Sequence, residues 1–502
     1  MPERVPRRMV LGGIGAMVAA PALAEAPRTS LRPPQNPRRA GAAAATAAPP
    51  AVAAPQAESL IRAADLGGKV AFAVADARTG LVLEAREGGT PMPPASTLKT
   101  ITSLYALDTL GADHRFVTRI LAAGPVTGGR ADGDLVLEGG GDPTLSTDHL
   151  GDMAARLRAR LPGGAAGGFA VWGDALPYLR AIDETQPDWL GYNPAVAGLN
   201  LNFNRVHFEW RRKGADYHVS MDARGERFLP AVSCARVTLS ARERPVYAYS
   251  DRGRIEEWSV ARAALGKAGS RWLPVRRPDA YAAEVLQVLA RAQGVRLDTA
   301  RRLDARPKGE VLVENRSDPL PAVLRDMMKY STNMTAEAVG MAASVRRGAD
   351  SHVASARAIT DWLAARTGIA GMRFADHSGL AGASRVTAIG MAQALGRLGP
   401  AAGLRGLMKP VEFRDAGGRK LKTQPFAVQA KTGTLNFVSS LVGYMTTPGG
   451  TDLVFAILTA DVARRDAIPD AQKEDPPGAG AWVKRSKRLQ QQLLERWAAV
   501  YG

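Results

Sequence analysis

Three short motifs place hydroxyl, amine and amide side chains at spacings that suit nucleophilic catalysis. Ser96 precedes Lys99 by three positions, Ser331 precedes Asn333 by two, and Lys431 opens a Lys-Thr-Gly-Thr segment. Residues three apart lie on the same face of a helix, so the Lys99 amine would reach the Ser96 hydroxyl. A neutral lysine could accept the hydroxyl proton, and the serine oxygen could then attack an acyl carbon.

This chemistry requires a lysine whose pKa is lowered. An unperturbed lysine titrates near pH ~10.4 and is mostly protonated at neutral pH. Burial and the nearby cation Lys431 would both lower the pKa of Lys99. Ser331 is placed to pass a proton to the leaving amine. Asn333 can donate to a substrate carbonyl and hold Lys99. Which group takes the first proton is left open.

The Lys-Thr-Gly-Thr segment predicts the shape of the substrate. Lys431 and the hydroxyls of Thr432 and Thr434 offer a cationic, hydrogen-bonding seat for a terminal carboxylate. Gly433 lacks a side chain, so we expect an extended substrate to lie against this strand edge. The backbone N–H groups of Ser96 and Thr434 would form an oxyanion hole.

The flanking sequence predicts the elements that must bring these motifs together. Prolines before Ser96 favour a helix entry, which places this serine in the first helical turn. Ser331 follows a helical pattern, and Lys431 leads into a hairpin of apolar strands. The predicted fold class is α/β (α+β), an antiparallel sheet flanked by helices. Its expected parts are a hairpin at 70–74 and 81–83, strands at 438–445 and 453–458, and a closing helix at 487–501.

The middle of the chain differs in texture and predicts an insertion. From residue 116 to 275 short strand patterns alternate with turns, which favours a mainly β region of one or two subdomains. Helical periodicity returns after residue 276. We therefore expect a discontinuous catalytic domain, residues 58–115 and 276–502, interrupted by residues 116–275.

The ordered motifs resemble those of penicillin-recognising serine enzymes. With the insertion, the chain resembles the class C low-molecular-mass penicillin-binding proteins, D-alanyl-D-alanine carboxypeptidases and endopeptidases of the penicillin-binding-protein-4 type. Further segments share this resemblance: 113–118, 135–143, 199–204 and 376–380. Two departures are Thr332, where Asp or Asn is common, and Lys409-Pro410-Val411, where Gly-Thr-Leu is expected.

The resemblance implies a fold, a reaction and a site. It implies a β-lactamase-like serine peptidase domain that cuts D-Ala-D-Ala from peptidoglycan stems through an acyl-enzyme, with no metal or organic cofactor. β-Lactams would act as slowly released inhibitors. The implied catalytic residues are Ser96, Lys99, Ser331, Asn333 and Lys431.

The first residues predict export. Arg7 and Arg8 precede an apolar run over 9–22, and Ala22-Leu23-Ala24 is typical of a signal-peptidase site. We expect a cleaved signal peptide, residues 1–24, and a periplasmic enzyme; the arginine pair also resembles a twin-arginine signal. An uncleaved anchor is the alternative. Residues 25–57 are rich in Ala and Pro and predict a disordered linker.

The formal net charge of +18 favours anionic partners. An exported chain without zinc-finger spacing or aromatic-basic interleaving is not expected to bind nucleic acid. The basic start of the last helix, around Lys484 and Lys487, could touch anionic membrane, although packing of that helix on the sheet is the favoured interpretation.

Several other interpretations stay open from sequence alone. A β-lactamase or esterase on the same fold would use the same acylation residues, and a catalytically silent envelope-binding protein would use the basic insertion. Asp376-His377-Ser378 contains triad residue types, but consecutive residues do not converge, and we expect a loop at the rim of the cleft. The six histidines show no metal-ligand spacing.

Overall fold

The computed structural model describes residues 54–502. The predicted signal peptide and residues 25–53 of the predicted linker lie outside the described residues. The strands, numbered in chain order, are β1 Lys69–Asp76, β2 Val82–Arg86, β3 Val117–Ala122, β4 Val126–Thr127, β5 Arg130–Ala131, β6 Leu135–Gly139, β7 Phe169–Trp172, β8 Arg205–Lys213, β9 Asp216–Asp222, β10 Ala235–Ser240, β11 Tyr247–Asp251, β12 Glu256–Ala261, β13 Ala268–Pro274, β14 Arg301–Arg302, β15 Glu310–Arg316, β16 Lys409–Pro410, β17 Ala427–Leu435, β18 Val438–Thr446 and β19 Asp452–Ala460.

Helices cover both faces of the main sheet and also pack in the insertion. The α-helices are α1 Ala57–Ala64, α2 Leu98–Leu110, α3 Thr147–Arg160, α4 Pro278–Ala292, α5 Leu320–Tyr330, α6 Asn333–Val345, α7 His352–Thr367, α8 Ala388–Leu398, α9 Leu404–Leu407, α10 Val462–Asp466 and α11 Ala479–Tyr501. Short 3₁₀ turns lie at Ala95–Thr97, Asn202–Asn204, Arg262–Ala264 and Asp470–Gln472. None of the helices from residue 54 onward is long and apolar enough to cross a membrane.

The domain that contains the three motifs is built on a six-stranded antiparallel sheet. Its strand order is β16-β17-β18-β19-β1-β2. Side chains alternate between the faces of a strand, and β1 shows this directly. Ala71 and Ala73 face a core with α2 and α8, whereas Phe72 and Val74 face a core with α11. The expected antiparallel sheet flanked by helices is confirmed.

The closing helix packs across the sheet, as the sequence analysis favoured. Leu489, Leu493 and Trp497 recur at helical spacing and are fully buried against the strands. Lys484 and Lys487 remain exposed on the opposite side. The apolar stripe therefore fixes the helix on the sheet and leaves its basic side in solvent.

The insertion has a core of its own. A five-stranded sheet, β14-β7-β6-β3-β15, and two three-stranded sheets, β13-β8-β9 and β10-β12-β11, surround it. Tyr281 and Leu286 of α4 and Val313 of β15 are buried in this second core. Elements after residue 276 thus also contribute to this second core, and α5 is the next helix that packs in the first core, the one that α2 and α8 form on the sheet. The sequence shows α4 as an ordinary amphipathic helix, and only the packing shows which core it joins.

A small apolar cluster joins the two cores beside the motifs. Ile182 and Val196 of the insertion pack there with Met334 and Met341 of α6. The loop after α10 adds polar ties, since Lys473 Nζ donates to the Thr185 carbonyl at 2.8 Å. The insertion is thereby seated against the helix that begins at Asn333.

Candidate active site

Ser96 lies in a tight turn that leads into α2. The 3₁₀ turn Ala95–Thr97 precedes Leu98, and Ala95 takes a left-handed conformation with φ of 47°. Leu98 and Ile101 are fully buried in the first core, which fixes the rotation of the helix. Ser96 itself is partly exposed, and its Oγ lies 2.9 Å from Lys99 Nζ.

Lys99 Nζ is buried and has three oxygen partners. Besides Ser96 Oγ, it lies 2.7 Å from Asn333 Oδ1 and 2.8 Å from the Ser378 carbonyl oxygen. An amide oxygen and a carbonyl oxygen only accept, so two N–H groups of Lys99 are committed to them. In the neutral amine the remaining lone pair therefore faces the Ser96 hydroxyl.

The pKa of Lys99 is lowered to about 7, and burial is the main cause. The carboxylates of Asp376 and Glu337 act in the opposite direction and keep the value from falling further. Burial also lowers the pKa of Lys431 well below its usual value, followed by repulsion from Lys99 and then Lys409. The expected lowering of the Lys99 pKa is present, with burial as its cause. The repulsion between the two lysines lowers the pKa of Lys431 instead.

Ser331 and Asn333 lie where two helices meet. Ser331 follows the last residue of α5 in a left-handed conformation, φ 59° and ψ 36°, which is uncommon for a residue with a side chain. Its Oγ accepts a hydrogen bond of 2.8 Å from Lys431 Nζ. Asn333 begins α6, and its Nδ2 donates to the Tyr192 carbonyl of the insertion at 3.0 Å. One amide hydrogen of Asn333 is therefore already engaged.

Strand β17 presents the third motif beside the serine turn. Lys431 is 1% exposed, whereas Thr434 is exposed. A Cβ added to Gly433 would lie 2.8 Å from the Pro94 carbonyl oxygen and 3.1 Å from Ser96 N. Gly433 is thus needed for the close approach of β17 to the serine turn, which differs from the predicted reason, an open edge for substrate.

A cleft of about 750 Å³ opens over these residues. Ser96, Ser331, Asn333 and Thr434 line it, together with Tyr192 from the insertion. Thr432 instead lines a neighbouring groove. The structure therefore brings the three motifs into one site. The two lysines are buried beneath the cleft, and Thr432 lies in the lining of the neighbouring groove.

The segment 376–378 lies under the site, not at its rim. Asp376, His377 and Ser378 are fully buried. Glu337 of α6 accepts hydrogen bonds from the backbone N of His377 at 3.1 Å and of Ser378 at 2.8 Å. The rim-loop prediction is wrong, because these backbone groups are satisfied by a buried carboxylate, and the Ser378 carbonyl serves Lys99.

No Asp-His-Ser triad forms in this segment, as expected for consecutive residues. The Ser378 hydroxyl donates to Asp376 Oδ2 at 3.0 Å, and His377 Nε2 lies 2.6 Å from Ser355 Oγ instead. Burial lowers the pKa of His377 to about 4, so the ring is neutral at physiological pH.

Two buried carboxylates below the site differ in pKa. Burial raises the pKa of Asp376 to about 6, and repulsion from Glu337 adds to this. Burial also opposes ionisation of Glu337, but the hydrogen bond and positive charge of His352 outweigh it, so its pKa is lowered. Glu337 is thus the lasting negative charge beneath Lys99. Sequence reasoning missed it, because a lone Glu inside an apolar helix carries no motif.

Among residues 54–502, no group of three or more His, Cys, Asp or Glu side chains is arranged to hold a metal. The site's donor set consists of lysine amines, hydroxyls and amides.

Comparison with known proteins shows the family. The model of the D-Ala-D-Ala carboxypeptidase 3 (S13) family matches residues 54–475. The chain belongs to this family. It is therefore a serine hydrolase that acts on D-Ala-D-Ala, and the predicted resemblance is confirmed.

Individual relatives agree with the family. A D-alanyl-D-alanine carboxypeptidase of Actinomadura sp. (strain R39) is 29% identical over 456 residues, 79% of each chain. The D-alanyl-D-alanine carboxypeptidase DacB of Haemophilus influenzae is 25% identical over 421 residues, 78% of this chain and 85% of that protein. The crystal structure of penicillin binding protein 4 from Haemophilus influenzae shares the fold of this S13 chain, with a TM-score of 0.67, 21% identity and coverage of 87% and 99%.

Proposed function

We propose that Ser96 is the nucleophile of this S13 peptidase and that Lys99 is its general base. The supporting observation is the arrangement at Lys99 Nζ, which lies 2.9 Å from Ser96 Oγ. Its other two hydrogen bonds go to Asn333 Oδ1 and the Ser378 carbonyl oxygen, which can only accept. With a pKa of about 7, a substantial fraction of Lys99 is neutral at physiological pH. The amine can then take the Ser96 proton as Oγ attacks the carbonyl carbon of the penultimate D-alanine.

The remaining residues have distinct roles in this proposal. The backbone N–H groups of Ser96 and Thr434 stabilise the oxyanion, since β17 lies directly against the serine turn. Ser331, hydrogen-bonded to Lys431, passes a proton to the departing amine. Lys431 with the hydroxyls of Thr432 and Thr434 attracts the terminal carboxylate. The C–N bond then breaks, D-alanine leaves, and water releases the acyl group from Ser96.

We further propose that the enzyme works in the periplasm on peptidoglycan stems that end in D-Ala-D-Ala. The predicted signal peptide, residues 1–24, and the family's substrate support this location. β-Lactams would acylate the same serine and leave slowly; a solved complex of penicillin binding protein 4 from Haemophilus influenzae contains a β-lactam. The proposed reaction uses only lysine amines, hydroxyls and backbone N–H groups, and it needs no cofactor.

Labelling with penicillin tests the nucleophile. Incubation with fluorescent benzylpenicillin, followed by digestion and mass spectrometry, should place one adduct on Ser96. Ser96→Ala should lose the adduct, and Ser59→Ala, which changes an exposed serine of α1, should keep it. An adduct on another residue, or none on the wild type, would contradict the proposal. Two further assays separate a peptidase from a β-lactamase. A peptidase releases D-alanine from a D-Ala-D-Ala peptide, whereas a β-lactamase hydrolyses nitrocefin over many turnovers.

A further inference from the structure

An ion pair beneath the catalytic cleft has no role in the mechanism above. His352 begins α7, and its Nε2 lies 3.1 Å from Glu337 Oε2 of α6. The carboxylate side chain is fully buried, whereas 16% of the His352 side chain is exposed. The pair therefore connects the interior of the site with solvent.

The same carboxylate anchors a short backbone bridge between α6 and α2. Glu337 Oε1 accepts hydrogen bonds from the backbone N–H groups of His377 at 3.1 Å and Ser378 at 2.8 Å. The carbonyl groups of the same two residues point to α2, where Thr102 Oγ1 donates to the first at 2.6 Å and Lys99 Nζ to the second at 2.8 Å. The position of the carbonyl that Lys99 uses therefore depends on the carboxylate on the other side of the bridge.

Helix α7 contacts this backbone bridge through a second residue. Ser355 Oγ lies 2.6 Å from His377 Nε2. The His377 ring fits against α6 because Gly340 has no side chain, and an added Cβ would lie 2.2 Å from the ring carbon Cγ. Since His352 and Ser355 are three apart on α7, one face of this helix contacts both the carboxylate and the ring. The first turn of α7 and the bridge are therefore packed as one unit.

The titratable groups that face the carboxylate of Glu337 come from three elements. They are His352 of α7, His377 and Asp376 of the bridge segment, and Lys99 of α2. Burial opposes protonation of His352, but the hydrogen bond and negative charge of Glu337, followed by the charge of Asp376, outweigh it and raise the pKa of His352. His352 therefore keeps a positive charge at the acidic side of the Lys99 titration.

We propose that His352 and Glu337 form a positioning pair for Lys99. The carboxylate fixes the Ser378 carbonyl toward the amine, and the imidazolium offsets the negative charge of the carboxylate. This inference rests on the proposed function, because it concerns the base of the acylation step. Neither member of the pair touches the substrate, and both act through Lys99.

The pair meets two requirements that conflict at this position. The buried N–H groups of the bridge need an acceptor, since an unsatisfied buried donor is costly. A lone carboxylate at that place would favour the ammonium form of Lys99 and weaken it as a base. A carboxylate paired with an imidazolium accepts the hydrogen bonds while its charge is partly cancelled.

The pH dependence of acylation by a chromogenic β-lactam, followed by stopped flow from pH 5 to 9 on the purified full-length enzyme, tests the pair. His352→Gln keeps an N–H donor for the carboxylate but carries no charge. It should raise the pKa of Lys99 and move the rise in acylation to higher pH. Acylation at pH 6 should then be roughly two- to threefold slower relative to the plateau of the same variant.

Glu337→Gln should move the rise in the opposite direction, to lower pH. The amide oxygen can still accept from the bridge, but the negative charge that favours the ammonium form of Lys99 is gone. His218→Gln, which changes an exposed histidine of β9, is the matched control and should follow the wild-type profile.

The direction of the shift separates positioning from a merely structural role. A structural pair would lower the plateau or the melting temperature and leave the midpoint in place. An unmoved or lower midpoint in His352→Gln would therefore overturn the inference. This variant decides the question even if Glu337→Gln does not fold, because His352 lies at the edge of the core and the midpoint is independent of the amount of active enzyme.

Failure of the proposed function would look different. A wild type without a penicillin adduct on Ser96, or without a rise in acylation near pH 7, would refute the assigned nucleophile and base. A labelled wild type with that rise, together with an unchanged His352→Gln profile, would leave the proposed function standing and remove only the positioning pair.

Discussion

At the scale of residues, Lys99 Nζ has a complete set of partners for both of its charge states. As an ammonium it can donate to Ser96 Oγ, Asn333 Oδ1 and the Ser378 carbonyl at 2.7–2.9 Å. As an amine it keeps the two acceptors and turns its lone pair to the serine. Because neither state leaves a buried polar bond unmade, proton transfer at this atom needs little rearrangement of its surroundings.

The pH dependence of acylation should report this lysine. Neutral Lys99 is the reactive form, so the acylation rate should rise with pH through about 7 and then level off. Asp376 raises the Lys99 pKa through its negative charge. Asp376→Asn should therefore move the rise to lower pH and make acylation roughly two- to fivefold faster at pH 6 relative to its own plateau.

Stopped-flow acylation by a chromogenic β-lactam from pH 5 to 9 measures this shift. Asp361→Asn, a change of an exposed carboxylate on α7, is the control and should follow the wild-type profile. A midpoint that stays in place or moves to higher pH in Asp376→Asn would show that Lys99 is not the titrating group. The profile remains informative even if the variant is less stable, because the midpoint is independent of the amount of active enzyme.

The residues that sequence could predict at this site are those whose partners are close in the chain or belong to a motif. Ser96 and Lys99 are three apart, and helical geometry alone brings them together. The Ser378 and Tyr192 carbonyls are backbone groups that every residue possesses, so no pattern marks them. Glu337 was missed for a related reason, since its role comes from chain segments far away in sequence.

At the scale of elements, the site depends on how closely β17 approaches the serine turn. Gly433 leaves no Cβ in a space where one would lie 2.8 Å from the Pro94 carbonyl oxygen. The turn is anchored by Ala95 and Leu98 in the first core, and the strand by Val428 and Ala430 in the core with α11, so neither can move far. The absence of a side chain at Gly433 therefore determines how close the expected oxyanion donor, the Thr434 N–H group, lies to Ser96.

Gly433→Ala should push the strand and the turn apart. A displacement of the order of 1 Å at a reacting group can lower a rate about a hundredfold. We expect a loss of roughly this size in the acylation rate, with a smaller change in the melting temperature. Gly480→Ala is the control, because Gly480 lies in α11 with no heavy atom within 4 Å of an added Cβ. Near-normal acylation in Gly433→Ala would show that this contact does not position the site.

The regular elements of the sheet domain were largely predictable. The hairpin of β1 and β2, the hairpin of β18 and β19, and the apolar stripe of α11 all have clear periodicity or turn signals. The reason for Gly433 was not predictable, because a close approach depends on two segments that meet only in the folded chain. The same limit explains why residues 376–378 were wrongly predicted to form a loop at the rim of the cleft. Their residue types are polar, although the segment is buried.

At the scale of the whole molecule, two cores meet at the catalytic cleft. The insertion supplies the Tyr192 carbonyl to Asn333 and packs Ile182 and Val196 against α6. Residues of α4 and β15 also pack in the core of the insertion, although both elements follow residue 276 in the chain. A helix pattern indicates that a face is buried and leaves open which core buries it.

The main sheet is built from distant parts of the chain. Strand β1 pairs with β19, so Lys69 faces Ala460 across the ladder, and Ser96 lies between them in sequence with the whole insertion following. During biosynthesis the nucleophile emerges early but meets β17 late, and β1, which already pairs with β2, gains its second neighbour β19 later still. A nascent polypeptide is therefore inert toward acyl donors until almost all of it has been made.

Arrested translation makes this measurable. A ribosome-bound chain exposed only as far as Gly450 lacks β19 and should form no adduct with fluorescent penicillin. A chain exposed through Gly502, held by an added spacer, should be labelled like the released enzyme. Labelling of the shorter chain would mean that the serine turn and β17 can assemble without the strand that links the two ends.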